Sequence, residues 1–302
     1  MTTRRDFIKS GSLALGFTAI SFEILAKKKK RGNVGVQLYS VRADMTKDPL
    51  GTVKKVAEMG YKNVEHANYI NRKFYGYSAS EFKKILDDLG LKMPSGHTVL
   101  DKNKHWDATK KDFNDVWKYT VEDAAICGQK HVISPWLDVS QRKNLSDLKA
   151  MMDIFNKSGE LCQKSGMKYG YHNHDFEFNE KLDGQTLYDH ILQNTDPQLV
   201  VHQLDIGNMY GGGGRAIEVI NKYPGRFQSM HVKDEVESSI NKGKWESTVI
   251  GKGVVGTKEV VELGRKIGGT TEFIIEQESY QGIPPLEAIK EDLALMKAWG
   301  YK

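Results

Sequence analysis

The sequence predicts one closed α/β barrel, a (β/α)8 fold, over residues 32–302, and three observations carry that prediction. A short apolar run followed by a helical-period segment recurs eight times. Glycine marks the end of one helical segment after another. Polar and ionisable residues gather at the C-terminal ends of the apolar runs, where a barrel of this kind keeps its chemistry.

Taken in order, the predicted strands are Val34–Tyr39, Asn63–His66, Lys92–His97, His131–Ser134, Lys168–His172, Val200–Asp205, Phe227–His231 and Glu272–Glu276. Helical periodicity fills the intervals, roughly at 49–59, 80–89, 109–127, 146–165, 185–194, 215–223, 257–266 and 286–298. The junctions Met59-Gly60-Tyr61-Lys62, Leu89-Gly90-Leu91-Lys92, Cys127-Gly128-Gln129-Lys130 and Ser165-Gly166-Met167-Lys168 share one design. Glycine takes the left-handed conformation cheaply and turns the chain from helix back into strand. Pro224-Gly225-Arg226 and Gly268-Gly269 do the same later, and Trp299-Gly300-Tyr301-Lys302 closes the chain. Strands alternating with helices pair in parallel through right-handed crossovers. Eight such units over about 270 residues fit a closed barrel. The competing open doubly wound sheet would need a glycine-rich phosphate loop after the first strand, and Ser40–Asp48 is not one.

Composition is that of an ordinary globular chain, 39% hydrophobic and 27% charged, so a sizeable core is expected. Two cysteines, Cys127 and Cys162, are too few for a disulfide framework and read as buried, unpaired residues. The net charge of +5 is concentrated at the N-terminus: residues 1–31 carry +6, which leaves −1 for the body. A near-neutral body argues against nucleic acid as a partner, because that affinity rests on neutralising phosphates.

Thr3-Arg4-Arg5-Asp6-Phe7-Ile8-Lys9 resembles a twin-arginine export signal, followed by the modestly apolar run Ser12–Ala26. That run is too short and too polar to be read as a membrane span. Residues 1–31 are therefore expected to be an export signal and basic linker, with a periplasmic destination, cleavage after Ala26 or a retained N-terminal anchor. Lys27-Lys28-Lys29-Lys30-Arg31 reads as a solvated linker.

At the strand ends the sequence places Gln37/Tyr39, Glu65/His66, Ser95/His97, Pro135/Trp136, His172/His174, Gln203/Asp205, His231/Lys233 and Glu276/Glu278. Residues two apart on a strand face the same side. Buried charge is costly unless it is paired or bound to a metal. Asp205, His231 and Glu276 on successive strands, with His172 or His174 as a fourth, form an oxygen/nitrogen set suited to Mn, Co, Zn or Mg.

The body also resembles the sugar phosphate isomerase/epimerase family of xylose-isomerase-like TIM barrels. The likeness rests on Gly35-Val36-Gln37-Leu38-Tyr39-Ser40, Tyr171-His172-Asn173-His174-Asp175-Phe176-Glu177-Phe178, Leu204-Asp205-Ile206-Gly207-Asn208, His231-Val232-Lys233-Asp234 and Ile275-Glu276-Gln277-Glu278, and spans essentially residues 33–302. It implies one divalent ion, often manganese, held from strands five to eight. Many members carry a glutamate on strand five, where this chain has His172-Asn173-His174 with Glu177 further on.

The expected chemistry is enolisation of an α-hydroxycarbonyl whose C–H is acidified by the ion. A base removes the proton, and its return elsewhere isomerises or epimerises the substrate. The expected ligands are His174, Asp205, His231 and Glu276, with Glu276, His172 and Lys233 as catalytic groups. Glu65, His97, Trp136 and Gln203 are expected to contact the substrate. The leading expectation is a metal-dependent isomerase or epimerase acting on a small carbohydrate. A lyase or hydratase acting on keto-sugars or 3-keto-glycosides is the alternative, since histidine on strand five weakens a symmetric two-glutamate mechanism. An exported chain also meets free sugars and glycosides more readily than sugar phosphates. A barrel phosphodiesterase would need a basic face, and a non-catalytic sugar-binding module would keep Tyr39, Trp136 and Trp245 while dispensing with metal.

Overall fold

The computed structural model describes residues 31–302, so the expected export signal and most of the basic linker lie outside the described residues. Eight strands close into a barrel: β1 (Asn33–Gln37), β2 (Asn63–His66), β3 (Lys92–His97), β4 (His131–Ser134), β5 (Lys168–His172), β6 (Val200–Asp205), β7 (Ser229–Val232) and β8 (Glu272–Ile275). They lie around the barrel in chain order, every pair parallel, and β1 closes against β8 with Val36 opposite Ile275. The principal helices are α1 (Pro49–Met59), α2 (Ala79–Asp88), α3 (Asp115–Ile126), α4 (Leu145–Gln163), α5 (Leu187–Asn194), α6 (Ala216–Lys222), α7 (Thr257–Leu263) and α8 (Pro285–Ala298). Among the described residues no helix is long and apolar enough to cross a membrane.

Local chemistry explains why the elements start and stop there. Asp48, Ser78, Asn114, Asn144 and Thr186 cap the first five of these helices, each side chain accepting a first-turn amide. At Ser78 the cap is reciprocal, since the Glu81 carboxylate accepts from the Ser78 amide at 2.8 Å. The junction glycines Gly60, Gly90, Gly128, Gly166 and Gly300 all have positive φ, as the repeat predicted. Valine, isoleucine, leucine and aromatic side chains fill the space between strands and helices. Trp117 is fully buried there and donates its indole N–H to Ser158 at 3.0 Å. Both cysteines are buried and unpaired.

The departures from expectation fall at the top of the barrel. The first strand stops at Gln37, because its side-chain oxygen accepts the Tyr39 amide at 3.2 Å and starts a single turn of 3-10 helix. The segment expected to begin a helix at 109 instead forms a small hairpin, Trp106–Asp107 against Asp112–Phe113, and α3 begins at the Asn114 cap. Further hairpins occupy Tyr69–Ser78, Lys181–Thr186 and Asp234–Thr248. All follow barrel strands; three are built on two-residue strands, too short to show a strand period, and the one at Asp234–Thr248 on four-residue strands. Tyr69 and Ile70 of the Tyr69–Ser78 hairpin line the cavity at the mouth of the barrel.

One buried carboxyl on α8 gives the fold a measurable pH response. Asp292 accepts the Ile250 amide at 2.7 Å through Oδ1, and Oδ2 has no partner among the described residues. Burial pushes this carboxyl up to about 7, from roughly 3.9 in an unfolded chain. The folded state thus holds the proton more tightly, so the group withdraws stability as pH rises from about 4 through 7. Asp292→Asn is expected to raise Tm at pH 8 by ~2–4 °C, the shift about 1 kcal/mol gives a large domain, and to leave Tm at pH 4 unchanged. Thermal melts of both proteins across this range check it, and a lower Tm for the variant at pH 8 would refute it.

Candidate metal centre and active site

Parallel register brings the polar strand ends together. Gln37 lies opposite Glu65, Glu65 opposite Ser95, His172 opposite Gln203, and Asp205 opposite His231. In-register neighbours share a face, so these side chains meet inside the barrel mouth. His172, Asp205, His231 and Glu276 offer ligand atoms that all lie within 4.8 Å of one another, and all four residues are buried.

Beneath them lies Glu65, fully buried. Its carboxylate accepts from Gln37 Nε2 at 2.8 Å, from Gln203 Nε2 at 2.7 Å and from the Ser95 hydroxyl, and it meets His231 Nε2 at 2.6 Å. Burial alone would raise its pKa. The charges of His97 and His231 and the bonds from His231 and Ser95 outweigh that and lower it to about 2. His231 lies between two carboxylates, with Nδ1 3.0 Å from Glu276. Burial opposes its charge, but Glu276 and Glu65 prevail and raise it to about 10.

Gln203 sets the protonation of two further rings. Its side-chain oxygen receives His97 Nε2 at 2.7 Å and His172 Nδ1 at 3.0 Å, while its nitrogen donates to Glu65 and to Ser229. An amide oxygen can only accept, so both ring nitrogens facing it carry hydrogen. His172 is left with a lone pair on Nε2, the atom 3.9 Å from Asp205 Oδ2. Burial keeps His97 below the ordinary histidine pKa. Burial and the neighbouring His231 and His97 keep His172 well below it. A neutral imidazole with its lone pair turned toward carboxylates is a ready metal ligand.

Lys233 is fully buried, its ammonium 2.6 Å from Glu278, 3.1 Å from Glu276 and 3.3 Å from Asp205. Burial would lower its pKa, but Asp205, Glu276 and Glu278 carry it well above the ordinary lysine value. Burial alone would raise Glu276, yet Lys233 and His231 hold it well below the carboxylate range. Asp205 is pushed up to about 6 by burial, against the pull of Lys233. Asp205 Oδ2 makes no hydrogen bond although it is buried. A carboxylate oxygen left unsatisfied among hard nitrogen and oxygen donors fits a divalent cation.

The expected residues thus fall into three groups. Asp205, His231 and Glu276 converge as expected. His174 does not join them: it lies beyond the end of β5, its ring 5.3 Å from Trp136 and 6.1 Å from Phe176. His172, the last residue of β5, points into the barrel and takes the fourth place. Glu177 is turned away, receiving the Tyr171 hydroxyl at 2.5 Å and the His174 amide at 2.9 Å. Glu65 and Gln203, expected to touch substrate, are fully buried with their polar atoms bonded within the protein, so they support the site from below. His97 and Trp136 do face a cavity of about 410 Å³, together with His172, His174, Glu276 and Glu278. Glu278 entered the sequence analysis only as a strand-end neighbour of Glu276, yet it borders the cavity and pairs with Lys233.

Residues 53–299 match the xylose isomerase-like TIM barrel family. The chain belongs to that family. It is 27% identical over 260 residues to an inosose dehydratase of Clostridium beijerinckii, spanning 82% of this chain and 84% of that one. An inosose dehydratase of Clostridium perfringens is 28% identical over a stretch of the same length. Among solved structures, a sugar phosphate isomerase/epimerase of Parabacteroides distasonis superimposes with a TM-score of 0.76 at 24% identity, covering 90% of this chain and 96% of that chain. An L-ribulose 3-epimerase does so with a TM-score of 0.65 at 11% identity, covering 89% and 94%. These two likenesses speak to the fold.

The geometry gives Glu65 a definite task. It holds the Nε2–H of His231 and so aims Nδ1 at the ligand cluster, the carboxylate–histidine arrangement that orients metal-binding imidazoles. Glu65→Gln is expected to weaken divalent-ion affinity by ~10–100-fold while the circular dichroism spectrum stays that of the native fold. Metal titration by calorimetry measures it, and unchanged affinity would remove Glu65 from this role.

Proposed function

We propose that the chain is a divalent-metal-dependent lyase that removes water from a cyclic keto-polyol or keto-sugar by way of an enolised intermediate. One observation carries the choice of elimination over the isomerisation favoured in the sequence analysis: the strand-five position in the cluster is held by His172, while the nearby Glu177 is turned into the protein. Epimerisation by paired carboxylates would need a second one facing the cavity from that strand. The similarity to inosose dehydratases over most of both chains supports the same reading.

His172, Asp205, His231 and Glu276 would hold the ion, with manganese first among Mn, Zn, Co and Mg. When bound, the ion supplies Lewis-acid polarisation of the substrate carbonyl. The remaining work belongs to side chains. The Glu276 carboxylate, ionised throughout the neutral range, takes the proton from the carbon next to the carbonyl. The Lys233 ammonium lies against Glu276 and Asp205 and stabilises negative charge developing on the carbonyl oxygen. The β-hydroxyl leaves as water, receiving back from Glu276, which lines the cavity, the proton that the carboxylate removed. Atoms balance: the substrate loses one hydrogen and one hydroxyl and gains a double bond, which relocates to a second carbonyl. Trp136 packs its ring over the cavity wall and offers an apolar face to the sugar ring.

Isomerisation uses the same first proton transfer and stands as the second reading, supported by the cluster geometry it would share. In either case residues 1–31 would direct export, so that the reaction takes place in the periplasm.

Glu276→Gln is expected to lower turnover by ~10²–10⁴-fold, the usual contribution of a positioned base, and to weaken metal retention. Mass spectrometry of a panel of inososes and keto-sugars in deuterated water separates the reactions. Loss of water from the substrate supports the lyase, and deuterium exchange or rearrangement without such loss supports the isomerase. Full turnover by the variant would sink both.

A further inference from the structure

A second cavity, of about 380 Å³, adjoins the one over the ligand cluster. The two share Tyr39, Ala67 and Asn68 as a common boundary. Either alone has the size of a small-molecule pocket. The inner cavity holds the ionisable groups, whereas the outer one contains Arg42, Thr46 and Asn68 among apolar and aromatic neighbours and lacks a carboxylate or imidazole in its lining. Its chemistry suits binding, not reaction.

The outer cavity is also built from fixed parts. Arg42 donates to the Tyr39 carbonyl at 3.2 Å, the Tyr280 hydroxyl at 3.0 Å and the Glu278 carbonyl at 3.1 Å, and its guanidinium lies 4.6 Å over the Tyr39 ring. Tyr39 is thereby held as an aromatic platform with 42% of its surface still open at the boundary. On the opposite side the Tyr75 hydroxyl accepts the Ala67 amide at 3.0 Å. The Tyr69–Ser78 hairpin is tied to α3, where Tyr69 and Arg72 both bond the buried Asp123. A cleft whose walls are already ordered binds without the cost of ordering them.

We propose that the substrate has two linked rings: a keto-sugar unit over the ligand cluster, and a second ring, sugar or aryl, joined through its glycosidic oxygen and lying between Tyr39 and Tyr75. This rests on the functional reading above and adds its substrate class, a keto-glycoside. Arg42 ties the outer wall to the Glu278 backbone, two residues from Glu276. Occupation of the outer cavity therefore bears on the reacting end, and remote binding energy of this kind raises kcat as well as lowering KM.

The test compares a keto-disaccharide and an aryl keto-glycoside with the free keto-sugar, using the full chain loaded with manganese. Wild-type protein is expected to favour both glycosides by at least ~10-fold in kcat/KM, a gap in the range that one contact region supplies. Thr46→Trp, which fills the outer cavity from its exposed rim, is expected to reduce that ratio by about the same factor. Thr46→Ser should keep it. Calorimetric titration with the same three compounds supplies the binding ratio independently of turnover. A wild-type ratio near one in both measurements would overturn the second-ring assignment and leave the metal-dependent reaction intact. A preference in binding without turnover of any compound would do the reverse. If Thr46→Trp fails to fold, the wild-type ratios alone decide.

Discussion

A single buried negative charge organises the mouth of this barrel. Glu65 has no contact with solvent, so its ionisation must be met by donors inside the protein. Strands β1, β3, β6 and β7 each send one: Gln37, Ser95, Gln203 and His231. Those bonds fix the floor on which the ligand cluster stands. Removing any of the four would take one hydrogen bond from a buried carboxylate, at a cost of about 1.5–3 kcal/mol. The positions of His97 and His172 follow in turn, since both donate to the Gln203 oxygen that Glu65 orients. The arrangement at the reacting end is thus inherited, bond by bond, from a residue that lies beneath it.

The sequence made the barrel legible because its elements obey local rules. Junction glycines and apolar periodicity are each written within a few residues, and the strand–helix unit they mark recurs eight times. Asp205, His231 and Glu276 were legible for a related reason: each lies at the C-terminal end of its strand, where a barrel of this kind keeps its chemistry. What was not legible depends on distance in the chain. Nothing local separates His172 from His174, because the choice turns on where β5 stops and on the Trp136 and Phe176 rings that flank the later residue. Nor does sequence alone reveal that Glu65 and Gln203 lie below the site, since burial is set by neighbours up to 166 positions away. The two-residue strands of three of the top hairpins carry too few residues for any period to register.

The family likeness and the site geometry bear on different questions. Likeness to barrels that carry isomerase, epimerase and dehydratase names fixes the scaffold, because one scaffold supports many chemistries through its strand ends. Choosing among those chemistries falls to the side chains facing the cavity. Here the decisive contrast is between His172, inside the cluster, and Glu177, whose bonds to Tyr171 and to the His174 backbone spend its polar atoms elsewhere.

Lys233 places a positive charge where a cation would otherwise sit. Its ammonium, with the His231 ring, gives Asp205, Glu276 and Glu65 internal counter-ions within the polypeptide itself. The carboxylates that would grip a cation are thus met in part by positive charge from the chain itself. A cation entering there would compete with the Lys233 ammonium and the His231 ring for the same carboxylates.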